Sequence, residues 1–428
     1  MTVRCSLAVA FILSFLLTPV TRAGEETPAA GLIVSADFPG GSAEVQAVDA
    51  AGGMVHICPA VHEGRGWPCW WYLRIDGLAP GQQVTLKVSG NPKPFRDKQR
   101  LSANWSQPQR AAISADNETW SQTPKRELTA DKIAIYRFDA PGKTVWLASQ
   151  PPFLPSHADA LLERIASRTP DAERFVLTNT REGRPVQGIK LGGGTAEEPA
   201  PLAVWVQARQ HAWESGASWV SRGFIEWAAG DDPAAAQLRR MASVYVIPIM
   251  DVDNVTLGAG GKDAVPRDHN RDWSDQPVYP EVAAAQQRIR DLDGQSRLRV
   301  FVDLHNPGPG EPRPYFFGPL DLAKMPAPQQ HNYARLLALT AECMRDPLPM
   351  DSKYKFATYV KTEEERGRVS GTWVRNHTGD NVVAASLETV WDTPHSTPDG
   401  YQAVGRQLAQ AVARYLAEAP WKAGTPAK

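Results

Sequence analysis

The pattern of apolar runs predicts an α/β protein, a mixed and largely buried sheet with helices on both faces, preceded by an all-β sandwich. Three observations carry this reading. From Leu32 to about Gln150, short runs rich in β-branched and aromatic residues are bounded by Gly, Pro, Asn and Asp. Pro151-Pro152-Phe153-Leu154-Pro155 then breaks the pattern. Beyond it, wholly apolar strand-length runs alternate with amphipathic runs of helical length.

The 428 residues are 42% hydrophobic and 22% charged, with a net charge of −1. That is long enough for two domains, and the charge is too balanced to point to nucleic acid. Arg4, the apolar run Ala8 to Leu17 and the small-residue pair in Thr21-Arg22-Ala23 have the order of a secretory leader cut after Ala23. The expected organisation is a leader over 1–23, a β-sandwich over 24–150, an α/β domain over 151–420 and a polar tail over 421–428. A secreted or periplasmic chain follows from the leader, with no membrane attachment after cleavage. Cys5 leaves with it. Export favours a disulfide between Cys58 and Cys69, and Cys343 reads as a buried thiol.

In the first region, Leu32 to Ala36, Trp70 to Ile75, Val84 to Val88, Ile133 to Phe138 and Thr144 to Ala148 read as antiparallel strands. Trp71, Leu73 and Ile75 alternate with Tyr72 and Arg74, as in a half-buried strand. Trp67, Trp70 and Trp71 form an aromatic patch that fits either a core or a sugar platform. After the proline cluster, Ser156 suits a helix N-cap. Strands are expected at Phe175 to Thr178, Gly188 to Leu191, Leu202 to Val206, Val244 to Met250, Val300 to Leu304, Tyr315 to Phe317 and Val382 to Leu387. Helices are expected near 218–229, 281–292 and 331–344, and over the stripe Tyr401, Val404, Leu408, Val412 and Tyr415.

Polar residues close four of these strands, and packing explains a charge at the end of an apolar run poorly. Leu202 to Val206 leads to His211 and Glu214. Val244 to Met250 leads to Asp251 and Asp253, and later to Asp268-His269-Asn270-Arg271-Asp272-Trp273. Val300 to Leu304 contains Asp303 and ends on His305. Val382 to Leu387 ends on Glu388. Ligands in open α/β sheets gather at such strand ends. Imidazole and carboxylate are zinc-compatible donors, and a hydrolytic zinc takes three protein ligands and keeps one position open.

These boxes, in this order, make residues 151–418 similar to the zinc metallocarboxypeptidases of the carboxypeptidase A superfamily. The closer resemblance is to the cytosolic-carboxypeptidase-like branch, whose members carry a β-domain ahead of the catalytic domain. The resemblance implies that His211, Glu214 and His305 hold one zinc ion per chain. It implies that Glu388 is the general base, and that Asn270 and Arg271 bind the terminal carboxylate of a peptide or protein substrate. A guanidinium fork grips a carboxylate bidentately and so selects a chain end. Asp303 suits a partner that fixes an imidazole, and equally a structural ion pair. The family tunes its side-chain pocket on the segment before the catalytic glutamate. Here Gly371 to His377 carries Arg375, which either favours acidic C-terminal residues or is a solvated loop charge.

The sequence also departs from the family pattern. The usual oxyanion-stabilising arginine falls at Gly261, so Lys262 becomes the expected cation, pointing into the zinc cleft, with Arg267 as the other candidate. The Gly258-Ala259-Gly260-Gly261-Lys262 stretch is no phosphate loop, because Thr256 and Asp263 stand where glycine and serine or threonine are needed. His269 replaces an aliphatic residue. The family's mobile tyrosine has two candidates, Tyr354 and Tyr359. Two other functions stay open: an amidohydrolase acting on N-acyl amino acids, and a catalytically inactive binding protein.

Overall fold

Strand alternation in the N-terminal region sorts side chains into two separate cores. The computed structural model describes residues 31–97, 99–194 and 201–422, so the expected leader and most of the expected tail lie outside the described residues. Ile33–Ser35, Tyr72–Asp76, Thr144–Ala148, Ala112–Ser114 and Ser121–Gln122 form one five-stranded sheet. Glu44–Asp49, Met54–Cys58, Gln83–Val88, Ala134–Asp139 and Glu127–Leu128 form another. Trp71, Leu73 and Ile75 pack with Val55, Val84, Leu86 and Tyr136 from the second sheet. Tyr72, on the opposite face of its strand, joins a different cluster with Trp70, Trp120, Trp213 and Trp391.

Three expectations are corrected here, and the open reading of the tryptophan patch is decided for the core. The β region is not wholly antiparallel, because Met54–Cys58 runs parallel to Gln83–Val88. Ser156 is not the N-cap: the helix Pro155–Ala166 starts one residue earlier, and the Leu154 N–H donates to His157 Nδ1 at 3.1 Å. Trp70 and Trp71 are 4% and 0% exposed and so cannot form a sugar platform. Cys58 and Cys69 are both buried free thiols. Cys58 Sγ faces Gln46 Nε2 at 3.3 Å on the second sheet, whereas Cys69 lies in the aromatic cluster beside Gly260. Burial pushes the Cys58 thiol up to about 11 and raises the Cys69 thiol well above its ordinary value, which keeps both unreactive.

Beyond Gln150, seven strands form one sheet in the order Ala172–Asn179, Pro185–Leu191, Ala242–Ile247, Leu202–Ala208, Leu298–His305, Val383–Glu388, Tyr315–Phe317. Leu202–Ala208 is parallel to both its neighbours, and Leu298–His305 is parallel to Val383–Glu388. The remaining pairings are antiparallel. Every residue of Ala242–Ile247 and Val383–Glu388 is buried, so both faces are covered, as parallel strands require. Trp421, inside the expected polar tail, is buried against Tyr415. Among the described residues, no helix is long and apolar enough to cross a membrane.

The helices Ser215–Ala228 and Pro398–Glu418 cross in close contact because glycine lines the crossing. A Cβ at Gly405 would lie 1.9 Å from the Val220 carbonyl oxygen, and one at Gly223 would lie 2.1 Å from that of Gln402. Both obstacles are backbone, so a side chain could be admitted only by moving a helix. Gly405→Ala should therefore lower stability by about 1–3 kcal/mol despite alanine's better helix propensity. An unchanged urea midpoint would show that the crossing is looser than described.

Candidate active site

The candidate site is built at the carboxyl ends of the central parallel strands, where polar residues can face a cavity without leaving the sheet's hydrogen bonds unmet. The chain leaves Leu202–Ala208 through Arg209, which has a φ of 66°. Its buried guanidinium holds that strained turn, donating to the carbonyl oxygens of Ala212 at 2.7 Å and Phe153 at 3.1 Å. The turn brings His211 and Glu214 inward. His305 and Glu388 are the last residues of adjacent parallel strands and stand opposite each other in register.

His211, Glu214 and His305 converge, with one donor atom from each lying within 4.8 Å of the others. His211 Nδ1 is 2.7 Å from Glu214 Oε1, and His305 Nδ1 is 2.7 Å from Glu214 Oε2. The far ring nitrogens are held from behind: His211 Nε2 lies 3.0 Å from Asp268, and His305 Nε2 lies 2.9 Å from Asp303. Asp303 is itself held by Gln210 and Ser370. Two nitrogen donors, each imidazole fixed from outside, and one carboxylate suit a single zinc ion. Burial opposes charge on Glu214, but the two imidazoles outweigh it and hold the carboxyl near 2. Glu388 faces the same cavity. Burial first, and the Glu214 charge as well, push it up to about 7. Its Oε2 has no hydrogen-bond partner among the described residues.

Residues 158–297 match the family described as zinc carboxypeptidase. The matched stretch contains His211, Glu214, Asn270 and Arg271. The chain is 28% identical over 262 residues to cytosolic carboxypeptidase 2 of Danio rerio, a match covering 55% of this chain and 35% of that one. It is 23% identical over 252 residues to cytosolic carboxypeptidase 6 of Caenorhabditis elegans, covering 55% of this chain and 54% of that one. The chain thus spans about a third to a half of these two relatives. The crystal structure of a metallo-carboxypeptidase from Burkholderia cenocepacia shares the fold, with a TM-score of 0.75, 20% identity and coverage of 91% of this chain and all of that one.

The other predicted residues are distributed unevenly. Lys262 lines the cavity with His211 and Glu214; its ammonium donates to Asp268 at 2.8 Å and lies 3.4 Å from His211 Nε2. Arg267 is instead paired with buried Asp272 at 3.1 Å. Asn270 lines the cavity; its Oδ1 accepts from the Ser370 N–H at 2.9 Å, and its Nδ2 lies 3.2 Å from His305 Nε2, a nitrogen already turned to Asp303. Arg271 is half-buried and donates to the Asn270 carbonyl oxygen at 2.8 Å. Arg375 sits on the helix Ser370–His377 and lines a second cavity of about 270 Å³. Asp321 pairs with it at 2.7 Å, so the uncompensated positive wall expected there is absent. Tyr359 is 59% exposed and lines the main cavity, whereas Tyr354 is half-buried and donates to the Tyr333 carbonyl oxygen.

Sequence reasoning gave no role to the pair Asp268 and Ser370, nor to the cavity walls Trp105, Trp213 and Tyr315. Asp268 opens the box that was noticed, and its position beside Asn270 was the available signal. The tryptophans carry no such mark, since tertiary packing alone brings them to the cavity.

His269 is fully buried between two carboxylates, with Nε2 2.7 Å from Glu281 and Nδ1 3.6 Å from Asp251, and its ring stacks on Tyr279 at 3.8 Å. Burial alone would depress its pKa, but the Asp251 charge and the Glu281 hydrogen bond lift it to about 9. A raised folded-state pKa contributes stability that is complete below the ordinary value of about 6.5 and is lost as pH rises through about 9. The stability gap between the parent chain and His269→Gln should therefore shrink between pH 6 and pH 10. Urea titrations showing a constant gap over that range would mean that His269 is buried as the neutral ring.

Proposed function

We propose that this chain is a zinc-dependent metallocarboxypeptidase that releases C-terminal residues from peptides or proteins. The observation that carries this reading is Glu388, a buried carboxylate with one unpartnered oxygen, set in register beside His305. A zinc ion held by His211, Glu214 and His305 would polarise the scissile carbonyl and make a water acidic enough to attack near neutral pH. Glu388 takes a proton from that water and returns it to the amine nitrogen of the departing residue as the C–N bond breaks. A base near pH 7 can do both, and burial moves Glu388 in that direction.

Lys262 is the cation placed to meet negative charge on the former carbonyl oxygen. Asp268 holds its ammonium inside the cleft, so little ordering remains to be done during reaction. The substrate's terminal carboxylate falls to Arg271 and to the Asn270 amide, whose Oδ1 accepts from the Ser370 N–H and so fixes the direction of its Nδ2 donor. Arg375 is neutralised by Asp321, and a preference for acidic C-terminal residues has no support from that pair. Export remains part of the reading on the strength of Arg4, the apolar run to Leu17 and Thr21-Arg22-Ala23. N-terminal sequencing of the cell-made protein, expected to begin at Gly24, checks it.

Glu388→Gln should bind zinc as the parent does and lose hydrolysis of blocked dipeptides, while Lys262→Ala should keep zinc and turn over about 10²-fold more slowly. Retained turnover in Glu388→Gln would overturn the mechanism. Hydrolysis of N-acyl amino acids with none of dipeptides would replace peptides with that substrate class.

A further inference from the structure

The N-terminal β region does more than stand beside the cleft, since part of its chain is built into the cleft wall. Trp67 and Trp105, both from that region, line the cavity of about 440 Å³ that holds His211, Glu214, His305 and Glu388. Backbone hydrogen bonds fix Trp67 there. Its N–H donates to the Lys262 carbonyl oxygen at 2.9 Å, and the Gly261 N–H donates to that of Arg65 at 2.9 Å. The glycines of the 258–262 loop make this approach possible. A Cβ at Gly260 would lie 2.0 Å from the Trp67 carbonyl oxygen, and one at Gly66 would lie 2.3 Å from that of Lys262. The loop that presents Lys262 to the cleft is thus the one that clamps Trp67 to its rim.

Trp105 extends the wall. Its ring meets Trp67 at 4.8 Å and Trp213 at 5.8 Å, both edge to face, and its Cη2 would be 3.4 Å from a Cβ at Gly308. Trp67 and Trp105 are only half-buried, and Phe356 and Tyr359, 40% and 59% exposed, line the same cavity. The second cavity, behind Ser386, shares only Phe317 with this one among the lining residues. Val369 and Gly371, on either side of the Ser370 that Asn270 holds, line that second cavity. The chain-end recognition residues are therefore linked to the second cavity, and the tryptophan wall is left for the other side of the scissile bond.

We infer that Trp67 and Trp105 form a subsite for an aromatic side chain on the acyl half of the substrate, the part left after the C-terminal residue departs. This rests on the carboxypeptidase reading. Aromatic rings meet edge to face or offset with a gain beyond their buried area, and two fixed indoles offer both geometries without ordering cost. The specificity of the enzyme would then be set jointly by the catalytic domain and by a region that contributes no catalytic group.

The test uses the zinc-loaded full chain and two substrates that share a C-terminal residue, acetyl-Phe-X and acetyl-Gly-X, with X chosen as the residue released fastest. Trp105→Ala should cut kcat/KM for the phenylalanine substrate about tenfold or more and leave the glycine substrate within about twofold. Trp105→Phe should recover most of the loss. Equal losses on both substrates, or no loss on either, would overturn the subsite. If the parent chain hydrolyses neither substrate, the carboxypeptidase reading falls instead. Calorimetry with N-acetylphenylalanine then decides the subsite: binding that Trp105→Ala abolishes supports it, and binding that is absent or unaltered refutes it.

Discussion

The structure depends on how it compensates a group of buried carboxylates. Glu214, Asp268, Asp303 and Glu388 are all at least 92% buried, around two imidazoles and the Lys262 ammonium. Burying an unpaired charge is costly, and a cluster of like charges more so. Lys262 offsets part of the charge at Asp268, and amide and hydroxyl donors satisfy Asp303. The remainder calls for a cation between Glu214 and the two imidazoles, where the donor atoms already converge. The metal site is thus the completion of an electrostatic arrangement that the outer carboxylates begin.

That arrangement rests on the sheet. Parallel pairing puts His305 and Glu388 side by side, and the strained turn at Arg209 brings His211 and Glu214 to the same point. Loops supply the rest. The 258–262 loop is packed against the N-terminal segment through glycines that admit no side chain. The consequence is a coupling between distant parts of the chain: Trp67, Lys262, Asp268 and His211 are linked by successive hydrogen bonds. A change in the β region can therefore reach His211 without touching the core of the α/β region.

Much of this was legible in the sequence, because strand ends carrying His, Asp and Glu after apolar runs have few structural explanations. The central strands beyond Gln150 were readable as continuous apolar runs, and Ala172–Asn179 and Pro185–Leu191, which carry charged residues, by their shorter apolar stretches. Glu44–Asp49 was not, since it is largely exposed and its residues carry little apolar alternation. The helices Pro233–Met241 and Ser370–His377 were missed because they are short and mix small or polar residues into their buried faces. The disulfide expectation failed because closeness in sequence says nothing about which face a thiol occupies. Arg375 was misjudged for a related reason: its partner, Asp321, lies 54 positions away. The glycines beside Lys262 carry no such signal in sequence either, since their use is to admit the backbone of Arg65 to Trp67.

The account turns on the claim that outer carboxylates preset the imidazoles for one metal ion. Zinc affinity of the parent chain and of Asp303→Asn, measured by competition with a chromogenic chelator, tests it most directly. One zinc per parent chain, and an affinity about 10- to 100-fold weaker in Asp303→Asn with unchanged circular dichroism, is the predicted result. Equal affinity in the two proteins, or no stoichiometric zinc in the parent, would contradict it.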